Sequence, residues 1–383
     1  MFLKSPRRVL ILHGKPHSGK TTLIKNLFDY VSTLDLPYHL TGFLTLEQQN
    51  NGERTGFDLV YLRDRRITFP LAKRKDLAFA QGRPSVGKYV VYPENLEKII
   101  EVIQSDLSKA TLTPLLFIDE IGKMEVLSQK FIAFMEHLKE EHLVIATLGL
   151  GEHPFLRDWF SLKEALYVEV TSENRDFLRD RLKVEFHREG KLIVLEGIDG
   201  AGKTTLFRRL MEDISFSTFI FSQEPTHGSY GTQLRSALMK GNIPKEELLR
   251  LFILDREEHV KKLILPGLTK GKKILLDRYY LSTVAYQGVY MDDPFSLLKL
   301  NETFAPTPDF IFYLDVPVTI ALKRVGHRDS GHSLFEKEDF LSKVYNVYEE
   351  ILPFFPHVRL NALKSIEENF WLIKDTFKRL SLG

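Results

Sequence analysis

The chain has 383 residues, more than one ordinary domain and suited to two, with 43% hydrophobic residues to fill two cores. Its 53 basic and 51 acidic residues leave a net charge of +2, so bulk charge gives no argument for nucleic acid or an anionic membrane as a partner. The absence of cysteine excludes disulfides, thiolate metal ligands and cysteine nucleophiles, and it fits a reducing cytoplasm, the compartment expected.

The N-terminal MFLKSPRRVLILH sets basic residues before a short apolar run. That run is below the roughly 7–15 residues of a signal core, and a phosphate loop follows at once, so a first strand is expected. No apolar stretch approaches the roughly 18 residues of a membrane span. The loop is GKPHSGKT: Gly14, Lys15, Pro16, His17, Ser18, Gly19, Lys20 and Thr21, with Thr22 opening the helix-like TLIKNLFDYV. It fits G-x-x-x-x-G-K-[ST] in the strand–loop–helix context that gives the pattern meaning. Backbone N–H groups of such a loop curl around phosphate oxygens at a helix N-terminus. Lys20 would reach the β- and γ-phosphates, and the Thr21 hydroxyl would hold Mg²⁺.

Further strands are expected at 39–46, 57–62, 67–73, 115–121, 142–149 and 166–170, with RDRR as a hairpin turn between the second and third of these. Helices are expected at 93–107, 128–141 and 174–182. In LLFIDEIGKMEVLS a buried strand ends in Asp119 and Glu120. Asp119 suits the Mg²⁺ shell, and Glu120 can orient or deprotonate an attacking water. Without a phosphate loop these acids would read equally well as a helix cap; the loop at Lys20 decides for chemistry. Lys123 and Glu125 follow, and Lys123 either meets phosphate or lies in solvent. Arg54, Arg63, Arg65, Arg66, Lys73, Arg74 and Lys75 make the hairpin region basic, which reads as a solvated surface rather than a polyanion site.

The charged stretch KVEFHREGK, 183–191, places the boundary between domains 1–187 and 188–383, with no long flexible linker. A second loop follows, GIDGAGKT: Gly197, Ile198, Asp199, Gly200, Ala201, Gly202, Lys203 and Thr204, then Thr205. Lys203 and Thr204 take the roles of Lys20 and Thr21. Strands are expected at 191–197, 217–223, 272–278, 309–316 and 357–362, and helices at 244–268, 293–304, 317–325, 338–355 and 365–380. Alternating helices and apolar, β-branched strands predict an α/β fold: two P-loop NTPase-type three-layer α/β/α domains with mainly parallel sheets. Ligands then sit at the carboxyl ends of the strands. ILLDRYYLSTVAYQG puts Asp277, a metal-orienting acid, and Arg278, a phosphate clamp, at such an end. LLRLFILDREEH puts Phe252 and Arg256 on one helix face, suited to a base and its phosphate, although a core ring and a solvated charge would give the same spacing. RVGHRDSGHS, 324–333, reads as a lid that closes over nucleotide.

Through TGFLTLEQ, TGFDLV, GKYVVYPENLEKI, FIDEIGKME, VIATLGLGEHPF and VTSENRD the first half resembles a family of small phosphate-loop nucleoside-triphosphatases. That resemblance implies hydrolysis of nucleoside triphosphates to diphosphates with loose base preference. Through GIDGAGKTT, EPTHGSYGTQLR, LFILDREEH, DRYYLSTVAYQG, PDFIFYLDVP and NALKSIEE the second half resembles thymidylate kinase. This implies phosphoryl transfer from ATP to dTMP with Mg²⁺. Asp199 would meet the 3′-hydroxyl and Phe252 would stack on thymine. Arg256 and Arg278 would hold the dTMP phosphate, Thr283 and Gln287 would meet the base edge, and Tyr286 would crowd the 2′ position. Glu224 and Arg235 would lie in the segment reaching acceptor and metal. The second loop holds no basic residue at its variable positions, so the resemblance assigns the transition-state cation to Arg328 of the lid, with Arg324 beside it. Gln223 departs from the arginine that the resemblance implies there, which puts one cationic phosphate contact, and with it acceptor affinity, in question without changing the reaction class. A homodimer through the kinase half is implied; nucleic acid and membrane are not expected as partners. Two alternatives stay open: a nucleic-acid-stimulated ATPase or regulatory switch in the first half, and another nucleoside monophosphate as acceptor in the second.

Overall fold

The computed structural model describes residues 7–78, 82–241, 243–291, 293–325 and 334–380. The chain divides into two compact units, Arg7–Lys183 and a second from Val184 onward. In the first, β1 (Val9–His13) leads through the phosphate loop to α1 (Lys20–Val31). The long strands β2 (Tyr38–Asn50) and β3 (Glu53–Tyr61) follow, then β4 (Thr68–Arg74), β5 (Ser85–Val86), β6 (Tyr89–Val91) and α2 (Pro93–Leu107). There follow β7 (Thr113–Ile121), α3 (Gln129–Glu141), β8 (Leu143–Leu148), α4 (Pro154–Phe160), β9 (Ala165–Glu169) and α5 (Arg175–Phe186), whose residues after Lys183 count with the second unit.

The sheet order is β5-β6-β4-β3-β2-β7-β8-β1-β9. Strands β2, β7, β8, β1 and β9 run parallel. The remaining four extend the sheet as an antiparallel wing. The parallel strands are apolar on both faces because helices cover both. Phe117 meets Phe28 of α1 edge-on at 5.2 Å. Its neighbours Leu116 and Ile118 join the opposite core, with Leu96, Ile99 and Ile103 of α2 and Phe131 and Met135 of α3. Strands β2 and β3 turn on Asn51 and Gly52, at φ 50° and 79°, the left-handed pair that a two-residue hairpin requires. That hairpin was not among the expected elements, although Asn-Gly is its sequence signal.

In the second unit β10 (Lys191–Glu196) leads to α6 (Lys203–Met211), β11 (Ile220–Gln223), α7 (Ser229–Lys240), α8 (Lys245–His259), α9 (Leu265–Thr269) and β12 (Lys273–Asp277). There follow α10 (Tyr280–Gly288), α11 (Phe295–Phe304), β13 (Phe310–Asp315), α12 (Val318–Val325), α13 (Leu334–Ile351), β14 (His357–Asn361) and α14 (Ile366–Arg379). The order β11-β12-β10-β13-β14 is parallel throughout. Between α8 and α9 the backbone takes one π-helical stretch, Val260–Ile264. It precedes Pro266, which has no N–H to donate within a helix. Helices α4, α7 and α10 were not expected: α10 is rich in β-branched and aromatic residues, and α7 carries a glycine in its first turn. No described helix is long and apolar enough to cross a membrane.

The topologies differ at one place that matters for chemistry. In the second unit, the strand entering the phosphate loop, β10, is paired directly with the acid-bearing β12. In the first, β8 lies between β1 and β7, and it brings a polar residue of its own to the acids.

Candidate active sites

In each unit the loop glycine before the lysine serves as the helix N-cap in a left-handed conformation, Gly19 at φ 100° and Gly202 at φ 97°. A side chain there would be strained whatever the space around it. In the first unit Lys20 Nζ donates to the carbonyls of Gly14 (3.1 Å) and Lys15 (3.3 Å) and lies 3.8 Å from Glu120 Oε2. The Thr21 hydroxyl donates to Asp119 Oδ1 at 3.2 Å. Thr147, at the end of β8, donates to the same oxygen at 2.6 Å, and the Thr45 N–H approaches Oδ2 at 3.4 Å. Burial pushes Asp119 up to about 6 despite these donors. Glu120 is pushed to about 6 by burial, with Lys20 opposing. Burial and the Glu120 charge push Glu125 to about 8.

Glu120 owes its place to two glycines. A Cβ on Gly149 would come within 2.4 Å of Glu120 Oε1, and one on Gly122 within 2.7 Å of the same oxygen and 2.9 Å of Glu125 Oε2. Glu120 and Glu125 thus share a slot that any side chain at 122 or 149 would fill. Thr147, Gly149 and the neutral-leaning Glu125 were not assigned a role from sequence. The signal for Thr147 was a hydroxyl closing the apolar strand VIATL beside the acid-bearing strand. The cleft measures about 710 Å³ and is lined by Pro16, His17, Thr22, Arg54, Phe57, Lys123 and Arg175 as well as by Lys20, Thr21, Asp119 and Glu120. Arg54, expected on a solvated hairpin surface, turns into this cleft.

In the second unit Lys203 Nζ donates to the carbonyls of Gly197 and Ile198, each at 2.8 Å. Burial and the nearby Arg278 charge push its ammonium down to about 7. The Thr204 hydroxyl donates to Asp277 Oδ2 at 3.3 Å, and Asp277 Oδ1 is buried without a hydrogen-bond partner. Arg278, at φ 70°, donates to Asp199 Oδ1 (2.5 Å), Ser282 Oγ (2.9 Å) and the Gly197 carbonyl (3.3 Å), and its guanidinium lies 5.5 Å from the Tyr286 ring centre. Tyr286 accepts from the Asp199 N–H at 2.8 Å. Arg324 donates to the carbonyls of Ala362 (2.9 Å) and Gly200 (3.5 Å). Lys203, Thr204, Thr205, Asp199, Arg278 and Arg324 line one cleft of about 680 Å³. Arg328 lies outside the described residues.

A buried network adjoins this cleft. Glu224 accepts from Arg256 Nε at 2.8 Å and meets His259 Nδ1 at 3.0 Å. Arg256 also donates to Asn301 Oδ1 (2.6 Å) and Thr283 Oγ1 (2.9 Å), and the Ser222 hydroxyl meets His259 Nε2 at 2.9 Å. Burial alone would raise the Glu224 carboxyl, but the Arg256 and His259 charges hold it below its ordinary value. Arg235 donates to the backbone carbonyls of Pro225 and Thr226. Phe252 is half-buried one turn before Arg256 on α8, and Gln287 is buried on α10. Gln223 ends β11, opposite Asp277 in register. Sequence reasoning missed Glu196, fully buried at the end of β10, which accepts from the Tyr279 N–H (2.9 Å), Ser282 (2.7 Å) and Tyr348 (2.8 Å) and so fixes the DRYYLS segment against the loop.

Two phosphate loops, each opening a helix and each bridged through its threonine to a strand-end aspartate, define a P-loop nucleotide-binding α/β protein. Residues 195–373 match the family model for thymidylate kinase, and residues 9–182 match that for NTPase. The thymidylate kinase of Akkermansia muciniphila is 44% identical over 167 residues, which covers 43% of this chain and 80% of the relative. That of Desulfotalea psychrophila is 42% identical over 183 residues, covering 46% and 89%, and that of Xanthomonas euvesicatoria pv. vesicatoria 43% over 169 residues, covering 44% and 74%. The chain belongs to the thymidylate kinase family through its second half, and it is a fusion of that kinase with a P-loop NTPase in the first.

Proposed function

We propose that the second unit transfers the γ-phosphoryl group of ATP to dTMP, giving dTDP and ADP, and that the first hydrolyses nucleoside triphosphates to diphosphates and phosphate. The observation that carries the kinase reading is the Lys203–Thr204–Arg278–Asp199 constellation in one cleft, with the buried Asp277 hydrogen-bonded to Thr204, beside an intact Glu224–Arg256 pair. Lys203 leaves the loop carbonyls for the phosphates of ATP, and Arg278 stands between the loop and the acceptor. Thr204 and Asp277 fit a Mg²⁺ ion: a hydroxyl and a carboxylate stand 3.3 Å apart, and one buried carboxylate oxygen has no other partner. Bound there, Mg²⁺ would neutralise charge on the β- and γ-oxygens. The protein's own contribution is positioning and fixed charge. Asp199, held by Arg278, faces the cleft where a sugar hydroxyl would sit, and Tyr286 is fixed over it. Phe252 supplies a ring for the base, and the lid residue Arg328 a cation for the transferring group. A methyl group is worth only about 1–3 kcal/mol of discrimination, so dUMP should also react, more slowly.

In the first unit Thr21 and Asp119 offer Mg²⁺ the same two groups, a hydroxyl and a carboxylate 3.2 Å apart, but here both carboxylate oxygens already accept hydrogen bonds, Oδ1 from Thr21 and Thr147 and Oδ2 from the Thr45 N–H, which a bound ion would compete with. Glu120, close to Lys20 and set in the glycine-lined slot, is the group to take a proton from, or orient, the attacking water. The separate acid beyond the metal-binding aspartate favours water as acceptor over nucleic-acid-gated switching. A homodimer through the kinase half belongs to the same proposal. Steady-state assays of the purified chain with ATP, Mg²⁺ and dTMP, reading dTDP and phosphate separately, test both activities. Formation of dTDP without dTMP-independent phosphate release would remove the hydrolytic half, and the reverse would remove the kinase half.

A further inference from the structure

Hydrolysis at the first site has to place positive charge on the phosphoryl group as it transfers. Its surroundings are rich in acids: Asp119, Glu120 and Glu125 all approach the cleft, and burial raises all three. Of the cations lining it, Lys20 is the loop's own lysine, which serves the β- and γ-phosphates. Lys123 lies along Gly151, and Arg175 packs over Gly19 at the start of α1. Arg54 is placed differently. It stands on β3 just beyond the Asn51–Gly52 turn, paired with Gln49 across the hairpin at an irregularity in register. Its guanidinium reaches His17, the middle of the phosphate loop, with Nη2 3.4 Å from Nε2. Glu47, on the facing strand, holds the same Nη2, and the Phe57 ring supports the guanidinium at 5.4 Å from its centre. Arg54 Nε is buried without a hydrogen-bond partner. A planar cation is therefore pre-aimed at the loop by a hairpin, with an unsatisfied donor.

We propose that Arg54 is a catalytic residue of the first unit, an arginine supplied by the hairpin of the same chain that stabilises the charge developing on the γ-phosphoryl group during hydrolysis. The inference rests on the hydrolytic reading of this unit. Guanidinium suits the task because it offers several donors in a fixed plane and stays charged. Such arginines act chiefly on the transition state rather than on ground-state binding. Glu47 holds the side chain until phosphate replaces it as partner.

The test uses the full chain carrying Lys203→Ala, which silences the kinase site, with and without Arg54→Ala. The kcat for ATP hydrolysis should fall about 10²–10³-fold, the loss typical of one preorganised transition-state donor, with KM changed less than about threefold. Arg54→Lys should recover part of the rate. A second measurement needs no turnover: ADP affinity with and without aluminium fluoride, a mimic of the transferring phosphoryl group. The parent should bind ADP more tightly with fluoride present. Arg54→Ala should bind ADP equally well but lose that tightening, and unchanged ADP binding shows that the unit is folded. Hydrolysis kept within about threefold in Arg54→Ala, or a parent that shows no fluoride-dependent tightening, overturns the assignment. A parent that tightens on ADP with fluoride yet never releases phosphate from ATP would sink the hydrolytic reading and leave the Arg54 contact standing.

Discussion

Replacing Arg256 by methionine tests whether the buried network of the second unit is held by charge. Arg256 is 1% exposed and Glu224 6%. The guanidinium gives Glu224 its principal counter-charge and also satisfies Asn301 and Thr283. Removing it leaves a carboxylate in a site closed to water with only His259 against it. Breaking a buried pair on one side costs about 3–5 kcal/mol. At about 2–4 °C per kcal/mol for a unit of this size, the melting midpoint should drop by about 6–20 °C. Scanning calorimetry reads this in the transition that dTMP raises. The double variant Glu224→Met, Arg256→Met should recover most of the loss, because the carboxylate stripped of its guanidinium is removed as well, while dTMP phosphorylation stays abolished. A drop below about 2 °C in the single variant, or a double variant that falls by the sum of the two singles, would show that the network is not held by charge.

Lys203→Ala should abolish dTDP formation and spare phosphate release by the first unit, while Lys20→Ala should do the reverse; loss of both activities from either change would contradict two independent sites. Phe252→Ala should raise KM for dTMP far more than KM for ATP, and equal increases would mean that the base lies elsewhere. In the proposed hydrolysis Asp119 and Glu120 act in their ionised forms, so kcat/KM should rise as pH climbs through about 6. Glu125 has its folded-state value raised to about 8. Its stabilising contribution is therefore complete below its ordinary range and is lost as pH rises through about 8, by at most about 1.4 kcal/mol per pH unit. Glu125→Gln should flatten that slope in thermal melts of the first unit, and an unchanged slope would show that Glu125 titrates normally.

Much of the architecture was legible because strand and loop signals coincide. VLILH and KLIVLE are apolar on both faces, which announces buried parallel strands, and a phosphate loop follows each. The acids Asp119 and Asp277 could be placed because they close such strands. What escaped was set by tertiary packing. Glu196 reads as an ordinary last strand residue until Ser282 and Tyr348 converge on it. Thr147 matters only because β8 runs between β1 and β7, an order that local sequence does not encode. Gly122 and Gly149 look like loop glycines, yet they make the space for Glu120. Arg54 sat in a run of basic residues whose shared composition hid one member; the overlooked Asn-Gly turn, which folds β3 back along β2, puts that member at the phosphate loop. His259 and Asn301 read as polar positions on amphipathic helices and emerge as the fixings of Glu224 and Arg256.

The most direct test is to incubate the intact chain with ATP and Mg²⁺, with and without dTMP, and to measure dTDP and free phosphate separately. dTDP should form in proportion to dTMP, and phosphate release should continue when dTMP is absent. Phosphate without dTDP would contradict the kinase assignment and turn suspicion first to Gln223, which ends β11 opposite Asp277.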